Sequence, residues 1–259
     1  MTPARPPASH VTLVVPARNE EAAILDTLRS LPLATLRAMG FSCDVVVLDG
    51  HSHDRTAAIA AAWGATVVPD RERGKGAALR QARGQLQGDL IVMLDADGTY
   101  AADAVPRIVA RLAWGSADVV MGRRVPQPGS MSATHRAGNR LLSLAATVLY
   151  GRRVHDVCTG LWGLRAPVLR QLPLRSTGFG LEAELFGLCV RTGCTIAEVR
   201  VDYLPRRGVA KLTLGRDGMR IARRLVRTRL ARLPRPDAAA PQAALDAARP
   251  AIRVGQEGP

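Results

Sequence analysis

Residues 89–98 read Asp-Leu-Ile-Val-Met-Leu-Asp-Ala-Asp-Gly, an apolar run that stops on two carboxylates. The run has no polar face, so it fits a strand buried on both sides of a sheet. Asp95 and Asp97 stand at i and i+2 just past its end. Two carboxylates so placed can share one hard divalent cation and a diphosphate, with water completing the shell. Asp-Ala-Asp-Gly is equally good chemistry for a plain polar turn. The pair alone does not choose between these readings; its neighbours do.

Outward from this stretch, the front of the chain alternates strand and helix. Residues 11–15, 44–48, 65–68 and 118–121 are short β-rich apolar runs. Between them, 20–31 carries Ile24, Leu25, Leu28 and Leu31 on one helical face. Asp54 can cap a helix that runs to Trp63, with Gly64 ending it. Residues 75–85 and 103–114 are also helical. This order predicts an α/β fold with a doubly wound, mostly parallel sheet flanked by helices. Ligands in such sheets bind beyond the carboxyl ends of the strands, so 16–20, 49–53 and 95–98 are expected to meet at one cleft. The second half predicts a long helix over 133–150 and a strand or loop with polar residues over 154–164. A helix over 180–191, a strand over 195–203 and a basic helix over 217–233 follow. Residues 1–10 and the Pro/Ala-rich stretch 234–259 lack periodicity and are expected to be flexible.

Composition narrows the class. Hydrophobic residues make up 47% and charged residues 22% of 259, the balance of a folded protein with a sizeable core. The longest apolar candidate, 141–150, is about half of what spans a bilayer. Residues 1–10 hold three prolines and no apolar core of a signal peptide, so a cytoplasmic location is expected. The four cysteines show no CxxC spacing, which argues against a zinc site or disulfide scaffold. His51 and His53 lack further ligands at matching spacing for a metallohydrolase centre. The net charge of +14 raises the question of nucleic acid, but aromatics are only 3%, leaving few stacking platforms, and no nucleic-acid-reading motif occurs. No nucleic-acid partner is expected. The charge is almost all arginine; Lys75 and Lys211 are the only lysines, and both fall in motifs.

Those motifs are 11–20 (VTLVVPARNE), 44–56 (DVVVLDGHSHDRT), Gly74-Lys75-Gly76 at a helix start, and Asp95-Ala96-Asp97. In this order they resemble the family 2 glycosyltransferases, whose GT-A fold binds nucleotide sugars. His135 to Asn139, Asp156 to Gly160, Gly178 to Glu184 and Arg206 to Leu212 look like the polyprenyl-phosphate, dolichol-phosphate mannosyltransferase-like branch. The resemblance covers about 11–225, with the GT-A domain over 11–215, a basic amphipathic helix over 216–233 and a tail over 234–259.

The resemblance implies roles residue by residue. Pro16, Ala17, Asn19 and Glu20 match the segment lining the nucleoside pocket, and Asp49 matches the acid that holds the base. The residue after Asp49 is Gly50 where the family often has a second polar group, so uracil and guanine both stay open. Asp95, Ala96 and Asp97 match the nucleotide- and metal-binding element, implying Mg²⁺ or Mn²⁺ at the two aspartates. Gly74-Lys75-Gly76 lacks the Ser/Thr and upstream glycine of a P-loop, yet Lys75 can bring an ammonium near a phosphate. Asp54 and Thr56 also match a family pattern but are expected to serve as helix caps. Asp156 and Thr159 match an element beside the sugar, and Glu182 is favoured over Glu184 for a ligand contact. A lipid phosphate is already an anion and can attack the anomeric carbon with inversion, needing positioning more than a general base. Arg124, Arg136, Arg206 and Lys211 are the candidates to orient it; Ala210 stands where the family's loop has a serine. The expected partners are thus a nucleotide-sugar donor and a polyprenyl-phosphate acceptor. The alternative is a soluble hydroxyl acceptor, which would call for a carboxylate base at Glu182, Glu184 or Asp156. From Arg216 to Arg235 eight arginines face one acid, Asp217, with apolar residues interleaved. Such a helix suits peripheral contact with an anionic membrane surface on the inner face of the cell membrane.

Overall fold

The computed structural model describes residues 10–70, 74–178, 180–207 and 214–233. Its elements in chain order are β1 (His10–Ala17), α1 (Ile24–Ser30), α2 (Leu33–Ala38), β2 (Ser42–Asp49), α3 (Thr56–Trp63), β3 (Thr66–Pro69), α4 (Lys75–Ala82), β4 (Leu90–Met93), α5 (Ala104–Ala113), β5 (Val119–Pro126), α6 (Ala133–Tyr150), β6 (Trp162–Arg165), α7 (Ala166–Gln171), α8 (Leu181–Arg191), β7 (Ile196–Tyr203) and α9 (Leu214–Leu230). One sheet orders them β3-β2-β1-β4-β6-β5-β7. Every neighbouring pair is parallel except the two made by β6, which runs antiparallel to both β4 and β5.

The continuous apolar runs are explained by burial on both faces. Along β1, Leu13 and Val15 join one core cluster with Ile24, Leu28 and Ile108, while Val14 joins the other with Leu79, Trp162 and Phe186. The switch of strand order at β1, between β2 and β4, leaves the carboxyl ends of these strands open beside one another.

Several boundaries differ from the sequence reading. The expected helix over 20–31 begins only at Ile24, because the Glu20 carbonyl closes a tight turn with the Ala23 and Ile24 amides. A further helix, α2, follows Pro32. Within 154–164 only the last residues are strand, since β6 needs partners on both sides, and its Ala166-Pro167 exit starts the short α7. The cap position of α3 is Arg55, not Asp54 or Thr56, and carries no side-chain cap bond; Asp54 Oδ1 instead accepts the Thr56 amide at 3.0 Å and its hydroxyl at 2.5 Å. Gly64 closes α3 in the left-handed region, φ +101°. The long helix α6 has the predicted bounds, opened by Ser132, whose side chain accepts the His135 amide. Lys211 and the stretches 1–9 and 234–259 lie outside the described residues.

Candidate active site

The carboxyl ends of β1, β2 and β4 open into a cleft of about 1840 Å³ that extends between α6 and α9. Its first wall is a latched pair of loops. Asn19, with φ +49°, donates its amide to Ser52 Oγ at 2.9 Å and accepts the His53 amide on Oδ1 at 2.8 Å. The Glu20 amide donates to Thr56 Oγ1 at 2.8 Å. Beneath them Asp49 is buried. Its Oδ2 accepts the Ser52 amide at 3.2 Å, but Oδ1 has no partner. A buried acceptor left unmade is costly and asks for a donor from a ligand.

The floor is the carboxylate pair. Lys75 Nζ donates to Asp95 Oδ1 at 2.5 Å and to Glu182 Oε1 at 2.8 Å. Asp97 is buried; its Oδ1 accepts the Thr99 amide at 3.1 Å and hydroxyl at 2.6 Å, and its Oδ2 pairs with Arg206. Burial pushes the Asp95 carboxyl up, but Lys75, with Arg124 and Arg206 further off, outweighs it and holds the group below the usual range. The glycines beside Lys75 have a packing role. A Cβ on Gly74 would lie 1.8 Å from the Thr177 carbonyl oxygen, and one on Gly76 2.4 Å from that of Ser176. Close approach of the α4 start to this segment is what carries Lys75 toward Asp95 and Glu182.

Gly160 plays the same part for Asp95: a Cβ there would lie 2.0 Å from Asp95 Oδ2. Gly160→Ala is therefore expected to push the carboxylate out of place and, on the expectation that the two aspartates hold a divalent cation, to weaken Mn²⁺ binding by about tenfold or more. Calorimetric titration with Mn²⁺ measures it; unchanged affinity would mean that Asp95 holds no such cation.

Deeper in, Asp156 is a junction. It accepts Arg124 Nε and Nη2, both at 2.7 Å, the Arg124 amide at 3.1 Å, and Asn139 Nδ2 at 2.9 Å. The Arg124 guanidinium also lies 5.1 Å from the Tyr203 ring centre. Burial alone would pull the guanidinium pKa down, but Asp156 lifts it well above the ordinary value.

Pro16, Ala17, Asn19 and Glu20 line the cleft, as do Lys75, Asp95, Ala96 and Asp97. Arg124, Glu182 and Arg206 join them from the opposite wall. Asp49 lies under the wall between two lining residues, Leu48 and Gly50. Three expected contacts fall elsewhere. Arg136 is exposed and donates to the Met131 carbonyl oxygen at 2.9 Å. Asp156 is spent on Arg124 and Asn139. Thr159 is fully buried, its hydroxyl against Tyr100 and the Leu161 amide. Glu184, weighed beside Glu182, accepts the Arg175 and Ser176 amides and pairs with Arg224. Asn139, three residues after Arg136 in the same motif, lines the cleft in its place, and its residue type alone gave no signal of it.

α6 and α9 each carry an exposed apolar row, of which Leu141 and Met219 line the cleft. Leu141, Leu144 and Val148 stand on one face of α6, and Met219, Val226 and Leu230 on one face of α9. The arginines Arg216, Arg223 and Arg227 flank the second row. Among the described residues no helix is long and apolar enough to cross a membrane.

The family model for glycosyl transferase family 2 matches residues 12–172. A dolichyl-phosphate hexose transferase of Haloferax volcanii is 32% identical over 218 residues, covering 84% of this chain and 92% of that protein. Glycosyltransferase AglJ of the same organism is 33% identical over 204 residues, 78% of this chain; the chain spans 65% of its length. Among solved structures, glucosyl-3-phosphoglycerate synthase from Mycobacterium tuberculosis, in complex with Mn²⁺, UDP-glucose and phosphoglyceric acid, superposes with a TM-score of 0.71 at 25% identity. That match covers 85% of this chain and 80% of the synthase.

Proposed function

The chain belongs to glycosyl transferase family 2, with the GT-A fold of that enzyme class, and from that premise we propose that it moves a hexose from a nucleotide sugar to a polyprenyl phosphate with inversion. The observation that carries the reading is the Asp95/Asp97 pair at the floor of a cleft that opens between the apolar crests of α6 and α9. A nucleotide sugar needs the first feature. A lipid acceptor needs the second.

Two hard carboxylates lining one cleft fit Mg²⁺ or Mn²⁺. Among the described residues no group of three His, Cys, Asp or Glu side chains competes for that role. Asp95 and Asp97 would hold the ion, which supplies charge neutralisation for the leaving diphosphate. The chain's own residues do the rest. Asp49 Oδ1 offers an acceptor to an N–H of the base. Glu20 and Asn19 wall the nucleoside. Lys75 and Arg206, paired with the carboxylates, stand beside the diphosphate and the acceptor phosphate. Reaction forms a bond from an acceptor phosphate oxygen to the anomeric carbon and breaks the bond to the diphosphate, so no proton has to be removed. Glu182, engaged by Lys75, is a poor candidate for a general base. Lys211, outside the described residues, is a further candidate for the acceptor phosphate.

The structural neighbour crystallised with a soluble phosphoglyceric acid keeps a soluble acceptor as the second reading. An acceptor panel separates the two. Transfer to undecaprenyl phosphate, with none to undecaprenol or phosphoglyceric acid, supports the lipid-phosphate reading; transfer only to phosphoglyceric acid overturns it.

The crest of α6 and α9, rimmed by arginines, supports peripheral attachment to an anionic bilayer, on the cytoplasmic face where nucleotide sugars are made. The protein is expected to sediment with vesicles containing phosphatidylglycerol and to be released at high salt. Leu144→Glu with Leu230→Glu should abolish sedimentation while leaving nucleotide binding intact. Equal sedimentation with neutral and anionic vesicles would contradict the electrostatic part.

A further inference from the structure

Among the described residues, two buried side-chain polar atoms have no hydrogen-bond partner, Asp49 Oδ1 and Asn139 Oδ1. Both sit at the cleft. The first belongs to its nucleoside end. The second lies beyond the carboxylate floor, on α6, and Asn139 lines the cavity there.

The orientation of the Asn139 amide is fixed by chemistry. Its Nδ2 donates to Asp156 Oδ1 at 2.9 Å. An ionised carboxylate only accepts, so the reversed amide would set oxygen against oxygen. Asn139 Oδ1 must therefore turn away from Asp156. The same carboxylate fixes Arg124 by Nε and Nη2, leaving Nη1 without a hydrogen bond to any described residue. Arg124 Nη2 and Asn139 Nδ2 both donate to one atom, Asp156 Oδ1, which makes the two side chains neighbours on the same carboxylate oxygen.

A ligand group that meets both must donate and accept. A hydroxyl does; a fully ionised phosphate offers only lone pairs and would leave Asn139 Oδ1 unmade. We infer that Asn139 and Arg124 form a donor–acceptor pair that reads a hydroxyl of the transferred sugar, with Asp156 as the positioning residue that aims both. This rests on the reading of the cleft as a nucleotide-sugar site. It moves Asp156 from sugar ligand to support and gives its expected contact to Asn139, a residue half-turned into the cleft on the first two turns of α6.

The test is calorimetry with Mn²⁺ present, using UDP, UDP-glucose, GDP and GDP-mannose on wild type and Asn139→Ala. The variant should bind the free nucleotide as wild type does. It should bind the matching nucleotide sugar about five- to tenfold more weakly. Monodeoxy analogues of the donor that binds complete the cycle and need no variant to fold. Wild type should lose the same factor on one analogue, and Asn139→Ala should no longer distinguish that analogue from the parent. Equal weakening of nucleotide and nucleotide sugar would make Asn139 a merely structural partner of Asp156 and overturn the inference. So would unchanged binding of both, or wild-type indifference to every analogue. If wild type binds none of the four compounds, the nucleotide-sugar reading falls first and the inference with it.

Discussion

Asp97→Ala is expected to lower sugar transfer by about a thousandfold or more and to remove the dependence of nucleotide binding on Mn²⁺. Asp97 is the better target of the pair because its two oxygens have separable duties. Oδ1 is fixed by the Thr99 amide and hydroxyl, which makes the side chain rigid, while Oδ2 faces Arg206 across the cleft. Removing the carboxylate takes away one proposed metal ligand and one ion pair of the Arg206 guanidinium. The fold should survive, because Asp97 lies at a strand end and not in the sheet. Asp97→Asn keeps the Thr99 contacts and tests charge alone; it should lose nearly as much activity. Titration with UDP and GDP at several Mn²⁺ concentrations checks this. Metal-dependent binding that persists in Asp97→Ala would remove the metal from this site.

Asp156→Ala should act on stability first. Arg124 and Asp156 form a buried pair with side chains 11% and 3% exposed. Deleting the acid strands a guanidinium in the interior, at a cost of about 3–5 kcal/mol. For a chain of this size that corresponds to a fall in Tm of roughly 10 °C. The account also predicts partial recovery in Asp156→Ala with Arg124→Leu, since the double variant no longer buries an unpaired charge. Donor binding should be weak in both, because Asn139 loses the group that aims it and the double variant lacks the Arg124 guanidinium as well. A Tm within two degrees or so of wild type for Asp156→Ala would mean that the guanidinium escapes to water and that the junction is not rigid.

The front half of the fold was legible because each strand there is an uninterrupted apolar run and each helix carries its own stop. Gly64 and the carboxylates of 95–97 mark ends that local chemistry alone sets. The carboxylate pair, Lys75 and the 16–20 segment were readable for the same reason: each occupies a strand or helix terminus. The second half was harder. β6 is four residues long and sits between β4 and β5 in the opposite direction, a placement that no local pattern encodes. The Arg124–Asp156 pair joins positions 32 apart with the whole of α6 between them, so Asp156 read as a free polar residue in a loop. Arg136 and Asn139 lie three apart on one helix, and only packing against Asp156 decides which of them turns into the cleft. Their residue types favoured the arginine; the phase of α6 favours the asparagine.

The most direct test of the central claim is transfer of labelled sugar. Radiolabelled UDP-glucose and GDP-mannose are offered separately, with Mg²⁺ or Mn²⁺, to undecaprenyl phosphate in detergent, and the products are partitioned into organic solvent. The account predicts organic-phase label from one of the two donors, dependent on metal and absent for Asp97→Ala. Metal-dependent release of nucleotide with all label left in water would contradict it and assign the same cleft to a soluble acceptor.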